Sequence, residues 1–189
     1  MGSITSVFSA FGLSASAGLN AYLPLLIVAV AARLNVFKLE PPFHVMSSWW
    51  VIGVLIALTL VEMFVDKIPA VDTVNDVINT IIRPVAGAIL FAATANIITD
   101  ISPVLSIILG LFVAGGVHAA KATARPVVTA TTAGVGNPVV STVEDAISAI
   151  TALVSVLIPG LVLIIATTGI VLFLWWRLRR IDREQARTR

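Results

Sequence analysis

Ionisable side chains are concentrated in two short segments of a chain that is otherwise strongly apolar. The first segment, residues 61–84, has the sequence VEMFVDKIPAVDTVNDVINTIIRP and contains the candidate residues Glu62, Asp66, Lys67, Asp76 and Arg83. The second segment, residues 118–145, contains the candidate residues His118, Lys121, Arg125, Asn137, Glu144 and Asp145. Carboxylates and bases of these types can bind an ion, relay protons or neutralise one another.

The spacing within each segment places these groups on common helix faces. Glu62 and Asp66 are one helical turn apart, and His118, Lys121 and Arg125 follow one another at i, i+3 and i+7. If both segments end on the same side of a membrane, we expect them to pair across the helix bundle. Two roles remain open, structural ion pairs or a functional polar cavity, and the cavity is the usual role of ionisable groups at membrane depth.

The first segment also follows the period of an amphipathic helix after Pro69. One stripe is apolar and contains Val74, Val77, Ile78, Ile81 and Ile82. The opposite stripe is polar and contains Asp76, Asn79, Thr80 and Arg83. The pattern predicts a short helix that begins near Asp72 as its N-cap and ends before a span that starts after Pro84.

Enzymatic chemistry has little support in the sequence. Ser141, Lys121 and Glu144 could be combined into a hydrolase site only if the fold brought them together in the right geometry. The chain has no cysteine, no His-Glu-x-x-His motif and no phosphate-binding Gly-rich loop. We therefore expect no catalytic residues, no metal site and no cofactor, and we do not expect an enzyme.

Composition predicts an all-α membrane protein. Hydrophobic residues make up 58% of the 189 positions, charged residues make up 12%, and the mean hydropathy is +1.04. Soluble domains have about twice that charged fraction, and a chain of this length has room for several spans of roughly 20 residues. We expect a polytopic helix bundle of about five crossings, with broken or re-entrant helices.

Basic residues are concentrated at the C-terminus. Six of the twelve lie in residues 177–189, directly after Trp175 and Trp176, and the remainder of the chain has more acidic than basic groups. An aromatic belt followed by arginines indicates a cytoplasmic tail at the inner (plasma) membrane rather than nucleic-acid binding. We therefore divide the chain into a transmembrane domain, residues 1–176, and a basic tail, residues 177–189. Six crossings would agree less well with the distribution of basic residues than five.

Several glycines, prolines and small polar residues are candidates for helix breaks or close helix packing. The segment SASAGLNAYLP, residues 14–24, includes Gly18 and Asn20 and predicts either a packing seam or a broken helix whose Asn20 lines a site. Pro69, Pro84 and Pro138 are expected at helix boundaries. Ser141 with Glu144 fits a capping box that would begin another helix. The last apolar stretch contains Pro159 and is either one kinked helix or two shorter ones.

An internal repeat is also suggested by the sequence. Lys67 and Lys121 are 54 positions apart, and so are Pro84 and Pro138. At this offset both halves show a span, a charged end, a polar connection, a proline and another span. Inverted or parallel repeats are common in transporters.

Five motifs together resemble a known family. They are SAGLNAYL (16–23), VEMFVDKIP (61–69), IRPVAG (82–87), HAAK (118–121) and GNPVVSTVED (136–145). The chain resembles, over roughly residues 8–170, a family of small bacterial integral membrane proteins catalogued as a domain of unknown function. The resemblance implies an all-helical inner-membrane protein and supplies no reaction, substrate or partner.

The sequence favours a small transporter or channel for an ion or small charged solute. Glu62 and Asp66 would bind a cation or relay protons, while Arg83, Lys121 and Arg125 would neutralise them or bind an anion. The expected partners are the lipid bilayer, the solute and a second copy in a homo-oligomer. Alternatives are a non-transporting accessory or scaffold subunit of a membrane complex and, less favoured, a lipid-modifying enzyme.

Overall fold

The computed structural model describes residues 3–67, 69–95 and 102–187, and these residues form helices connected by short turns without any strand. A short 3-10 helix, Phe43–Ser47, precedes the third α-helix. The α-helices are α1 Ser3–Leu19, α2 Tyr22–Arg33, α3 Trp49–Val65, α4 Pro69–Ala95, α5 Pro103–Thr132, α6 Asn137–Leu157 and α7 Pro159–Arg187. The prediction of an all-α bundle is confirmed.

Four helical segments are long and apolar enough to cross a membrane. They are Val77–Ala95, Pro103–Thr132, Asn137–Leu157 and Pro159–Arg180. The shorter apolar helices are Thr5–Leu19, Tyr22–Arg33 and Trp49–Val65. The last apolar stretch is two helices rather than one, because the chain leaves the helical conformation at Ile158. These spans indicate a multi-pass membrane protein.

Helix α1 lies in the middle of the bundle and packs against α4, α5 and α6. Helices α4 and α5 are antiparallel neighbours, as expected from their short connection. Their backbones cross very closely, because a Cβ atom added at Gly110 would lie 2.5 Å from the carbonyl oxygen of Gly87. Gly18 allows a similar approach of α1 to α5, since its added Cβ would lie 2.5 Å from the carbonyl oxygen of Ala114. Such contacts between small residues are typical of membrane helices.

Helices α1 and α6 are antiparallel and meet along a polar seam. Three hydrogen-bonded pairs join the two helices: Ser9 with Ser155, Ser16 with Ser148, and Asn20 with Asp145. The Ser9 hydroxyl donates to the carbonyl oxygen of Ser155 at 2.7 Å, and the Ser148 hydroxyl donates to the carbonyl oxygen of Ser16 at 2.9 Å. In lipid, such interhelical hydrogen bonds help to hold helices together.

The helix boundaries predicted from prolines and capping residues are wrong at three places. Helix α4 begins at Pro69 and continues through Pro84, so Asp72 lies within the helix and is not its N-cap. Helix α6 begins at Asn137, so Ser141 lies inside it and does not begin a capping box. Membrane helices tolerate internal proline because neighbouring groups satisfy the freed carbonyl. Pro69 and Pro138 both lie in the first turn of their helices, where the missing N–H costs nothing, so these two predicted boundaries agree with the structure.

The 54-residue offset does not relate equivalent structural positions. Pro84 lies inside α4, whereas Pro138 lies in the first turn of α6. Lys67 follows the end of α3, whereas Lys121 lies well inside α5. These two pairs of residues therefore give no structural support for the internal repeat, which stays a prediction.

Candidate functional site

The amphipathic part of α4 is oriented with its polar stripe inward. Asn79 and Arg83 are buried, and the Arg83 residue is 0% exposed. The apolar stripe faces outward, where Val77 is 69% and Ile81 is 72% exposed. A soluble amphipathic helix would have the opposite orientation. The inverted pattern indicates a helix whose outer face contacts lipid while its polar groups face the protein interior.

Helices α5 and α6 follow the same arrangement. The buried face of α5 includes His118, Lys121 and Arg125. On α6 Asp145 is buried, whereas Val139 and Val143 face outward and are exposed. Apolar side chains thus cover the outside of the bundle beside the charged groups. This arrangement is expected where ionisable side chains lie at membrane depth.

Four acidic and four basic side chains come together in this region, and we refer to them as the charged network. Within it, ion pairs connect α4, α5, α6 and the residues at the end of α3. The members are Glu62, Asp66, Glu144, Asp145, Lys67, Arg83, Lys121 and Arg125. If all eight are ionised, their formal charges cancel. A balanced network is the form in which buried charges are tolerated in a low-dielectric interior.

Asp66 is the centre of the network because it contacts three cations. Its Oδ2 atom lies 3.4 Å from Arg83 Nη2, 3.5 Å from Lys121 Nζ and 3.8 Å from Arg125 Nη2. Its other oxygen accepts a 2.6 Å hydrogen bond from the side-chain amide of Asn75. Asp66 therefore links the two candidate segments that the sequence identified separately.

Glu62 forms a deeply buried ion pair with Arg83. Arg83 Nη2 and Nε lie 3.1 and 3.4 Å from Glu62 Oε1, and both side chains are almost fully buried. The amide of Asn79 donates to the same oxygen at 3.3 Å. Several charge-assisted hydrogen bonds thus offset the cost of removing this pair from water.

Glu144 and Asp145 complete the network from α6. Glu144 Oε2 lies 2.8 Å from Arg125 Nη2 and 3.1 Å from Lys121 Nζ. Asp145 lies 3.5 Å from Lys67 Nζ. Because the two acidic residues are adjacent in the sequence, their side chains point in different directions from α6 and form ion pairs with different cations.

The ring of His118 is a neutral link between α4 and α5. Its Nδ1 atom lies 3.1 Å from Arg83 Nη1, and its Nε2 atom lies 3.1 Å from the hydroxyl of Thr80. A guanidinium group can only donate, so Nδ1 must accept and the ring proton is on Nε2, which donates to Thr80. His118 therefore extends the hydrogen bonding of Arg83 without adding a charge.

The charged network contacts the break between α1 and α2. Helix α1 ends at Leu19 and α2 begins at Tyr22. Lys121 Nζ donates to the carbonyl oxygen of Leu19 at 3.1 Å, and the N–H of Ala21 donates to Glu62 Oε2 at 3.1 Å. A cation thus lies at the C-terminal end of one helix and an anion at the N-terminal end of the next, as the helix dipoles favour.

Asn20 lies at the break itself and is fully buried. Its Oδ1 atom accepts the N–H of Leu23 at 2.9 Å, and its Nδ2 atom donates to Asp145 Oδ1 at 2.9 Å. Residues 14–24 show features of both predicted interpretations. Gly18 packs against α5, as in a packing seam, and Asn20 lies at a helix break, where it contacts both the start of α2 and the charged network.

Two further predicted site residues are Asn137 and Asp76. Asn137 is buried at the start of α6, where it pairs with the Thr129 hydroxyl at 3.1 Å and fixes the turn after α5. Asp76 lies on α4, but its side chain is outside the part of the structure that is described. The candidate site residues predicted from the sequence did not include Asn75 or Asn79, although Asn79 had been placed on the polar stripe of Arg83 and that spacing could have identified it.

Comparisons with known proteins place the chain in a family. Residues 7–180 match the family model described as Domain of unknown function (DUF4126). The chain belongs to this family. No curated protein and no solved structure matches this DUF4126 chain. Among the described residues, no group of three or more His, Asp and Glu side chains is arranged to hold a metal ion.

Proposed function

We propose that this DUF4126 protein is a small membrane transporter or channel for an ion or small charged solute, with the charged network lining its path. The observation that supports this best is the helix break at Asn20, whose two ends face Lys121 and Glu62. In secondary transporters, broken helices at membrane depth present backbone groups and dipoles to charged substrates. Here the side chains of the network occupy those positions, which corresponds to a closed state.

The energetics of the network also favour a functional role. Replacing a buried ion pair by well-packed apolar residues is often neutral or stabilising, so ion pairs are an inefficient way to hold helices together. The α4–α5 crossing at Gly87 and Gly110 already provides close packing without charge. Eight ionisable groups at membrane depth, six of them buried, are therefore better explained by a path for charge.

The polar seam between α1 and α6 supports a continuation of this path. It runs from Asn20 and Asp145 beside the network to Ser9 and Ser155. Ser9 and Asn20 are eleven positions apart in the sequence, which corresponds to about 16 Å along a helix, and the hydrocarbon core is about 30 Å thick. Hydroxyl groups along this seam would exchange hydrogen bonds with a passing ion or water when the helices separate.

In this proposal residues 1–176 form the transmembrane domain, and residues 177–189 form a tail on the cytoplasmic side of the inner membrane. The end of α7 has the features of an interfacial anchor, because the Arg179 guanidinium lies 3.8 Å from the ring centroid of Trp175. Stacked arginine and tryptophan side chains suit the headgroup region, and the excess of arginine favours the cytoplasmic side.

Ion flux into proteoliposomes tests the proposed function. Purified protein is reconstituted, and currents and tracer uptake are recorded with a panel of cations, anions and pH steps. We expect flux from the wild type and none above empty liposomes from the double variant Glu62→Gln, Arg83→Gln. That variant removes one acid and one base, so the network remains balanced.

A second double variant, which neutralises one base and one acid in the loop before α3, serves as the control for successful reconstitution. Lys38 and Glu40 are both exposed, and the double variant Lys38→Gln, Glu40→Gln should transport as well as the wild type. Folded wild-type protein that moves no ion in electrogenic or tracer assays would contradict the proposal. A stable co-purifying protein in that case would favour an accessory subunit.

A further inference from the structure

One acidic residue of the charged network differs from the others in its surroundings. The Glu144 side chain is 14% exposed, compared with 1% for Asp66 and Glu62. Glu62, Asp66 and Asp145 are each also held by an amide group, whereas the contacts of Glu144 are with the cations Lys121 and Arg125. Glu144 is therefore the carboxylate nearest to solvent and the one held by charge alone.

We infer that the transported solute is a small monovalent oxyanion, which binds Lys121 and Arg125 in place of the Glu144 carboxylate. This inference rests on the proposed function and specifies its substrate class. In the closed state Glu144 Oε2 lies 2.8 Å from Arg125 and 3.1 Å from Lys121. A free carboxylate or similar oxyanion presents the same atoms to the same two cations.

The charge balance of the network determines the charge of the solute. When the Glu144 side chain turns outward, three acids remain against the four bases Lys67, Arg83, Lys121 and Arg125. The excess is one positive charge, and a buried excess charge is costly unless it is neutralised. One monovalent anion restores the balance, whereas a cation would increase the excess.

An unused hydrogen-bond donor lies beside Glu144. Ser141 is on the buried face of α6, one turn before Glu144, and it is fully buried. Among the described residues, its hydroxyl oxygen has no hydrogen-bond partner. Buried hydroxyl groups are normally paired, so an unpaired one indicates a missing partner such as water or a ligand. In this inference the Ser141 hydroxyl donates to the second oxygen of the bound anion.

Glu144 would then act as a tethered competitor of the solute. A side chain attached next to its binding site has a high effective concentration, so it weakens the apparent affinity for a free anion. Removing the carboxylate while keeping the shape of the side chain should therefore strengthen anion binding. The variant Glu144→Gln also removes one of the two carboxylates that Lys121 and Arg125 share, leaving Asp66, which makes bound anion more stabilising to the fold.

Anion-dependent melting of the purified protein in detergent tests the inference without relying on transport. Acetate, nitrate and chloride are compared at constant ionic strength, and the apparent Kd is obtained from the rise of the melting temperature with anion concentration. We expect Glu144→Gln to bind acetate about tenfold more tightly than the wild type, because the tethered competitor is gone. Glu40→Gln, which changes an exposed loop residue, should match the wild type.

A second variant tests the role of the serine. Ser141→Ala in the Glu144→Gln background should weaken acetate binding by about tenfold or more, which is the expected effect of losing one hydrogen bond to a charged group. Nitrate should behave as acetate does if the site recognises two oxygens, and chloride should bind more weakly.

Two outcomes separate the failure of this inference from the failure of the proposed function. Equal acetate affinity in Glu144→Gln and wild type would overturn the oxyanion site, and cation flux in proteoliposomes would still support a transporter. Tight acetate binding by Glu144→Gln without flux of any ion would support the site and contradict the transporter.

Discussion

Arg83→Met is expected to destabilise the protein by about 3–5 kcal/mol, the usual cost of removing one partner from a buried ion pair. The substitution preserves most of the side-chain volume but leaves the buried carboxylate of Glu62 without a cation. It also removes a contact to Asp66 and the donor to His118. Thermal unfolding in detergent should show a melting temperature lower by roughly 6–20 °C for a chain of this size.

A double variant distinguishes the stability lost because the Glu62 carboxylate is unpaired from the stability lost because the Arg83 side chain no longer packs. Adding Glu62→Gln to Arg83→Met removes the unpaired carboxylate, while the Gln oxygen can still accept from Ala21 N–H and Asn79. We therefore expect the double variant to regain most of the lost stability. Lys38→Met, in an exposed loop, should melt like the wild type. If Arg83→Met melted no earlier than Lys38→Met, the network would not be buried as described.

Gly110→Ala is the second substitution with a large expected effect. The added Cβ would lie 2.5 Å from the carbonyl oxygen of Gly87 and 2.6 Å from the Cα of Ala88, both of which are backbone atoms of α4. Neither atom can move without shifting the helix, so α4 and α5 must separate. We expect a loss of about 3 kcal/mol, at the upper end of the usual range for overpacking.

Gly116 on the same helix provides the matched control. A Cβ added at Gly116 meets no atom within 4 Å. Alanine is a better helix former than glycine by roughly 0.5–1 kcal/mol, so Gly116→Ala should leave stability unchanged or raise it slightly. The two substitutions are chemically identical, yet the melting temperature should fall for Gly110→Ala and stay the same or rise slightly for Gly116→Ala. Equal effects would contradict the close crossing of α4 and α5.

The faces of the helices could be predicted from the sequence because they depend on local spacing. His118, Lys121 and Arg125 were expected on one face of a helix, and all three lie on the buried face of α5. The stripe that contains Asn79 and Arg83 was recognised in the same way. Periodicity does not say which stripe faces inward, and the inverted orientation follows only when the apolar flanks indicate a membrane.

The helix boundaries could not be predicted as well because proline has different consequences in a membrane. Pro84 lies inside α4, although the sequence predicted a helix boundary there, and Pro126 likewise lies inside α5. Proline breaks a soluble helix when the freed carbonyl is left without a compensating partner, and a membrane bundle can compensate for it. The true break occurs near Asn20, before Pro24, because the flanking backbone groups bind Glu62 and Lys121.

The pairing of individual charges also depends on tertiary structure. Sequence reasoning expected the two segments to meet, but the central position of Asp66 follows from the antiparallel packing of α4 and α5. The carbonyl of Leu19 and the N–H of Ala21 are backbone groups, so no residue type identifies them as partners. These backbone groups become partners only in the folded protein, where Glu62 at the end of α3 and Lys121 on α5 both contact the break between α1 and α2.

Water access to the network tests the central claim most directly. The chain has no cysteine, so single cysteines can be introduced without removing native ones. Ser141→Cys places a thiol on the buried face of α6, Val143→Cys places one on the lipid-facing side, and Lys38→Cys serves as an exposed reference. Thiolates react with a membrane-impermeant thiosulfonate reagent only where water allows the thiol to ionise.

A path through the network predicts that the thiol at position 141 is modified, that the rate falls when acetate is present, and that the thiol at position 143 resists. Acetate protection follows if the anion binds beside Lys121 and Arg125. Modification at position 141 that is no faster than at position 143, with prompt reaction at position 38, would contradict the account. The charged network would then be a sealed structural element rather than part of a path.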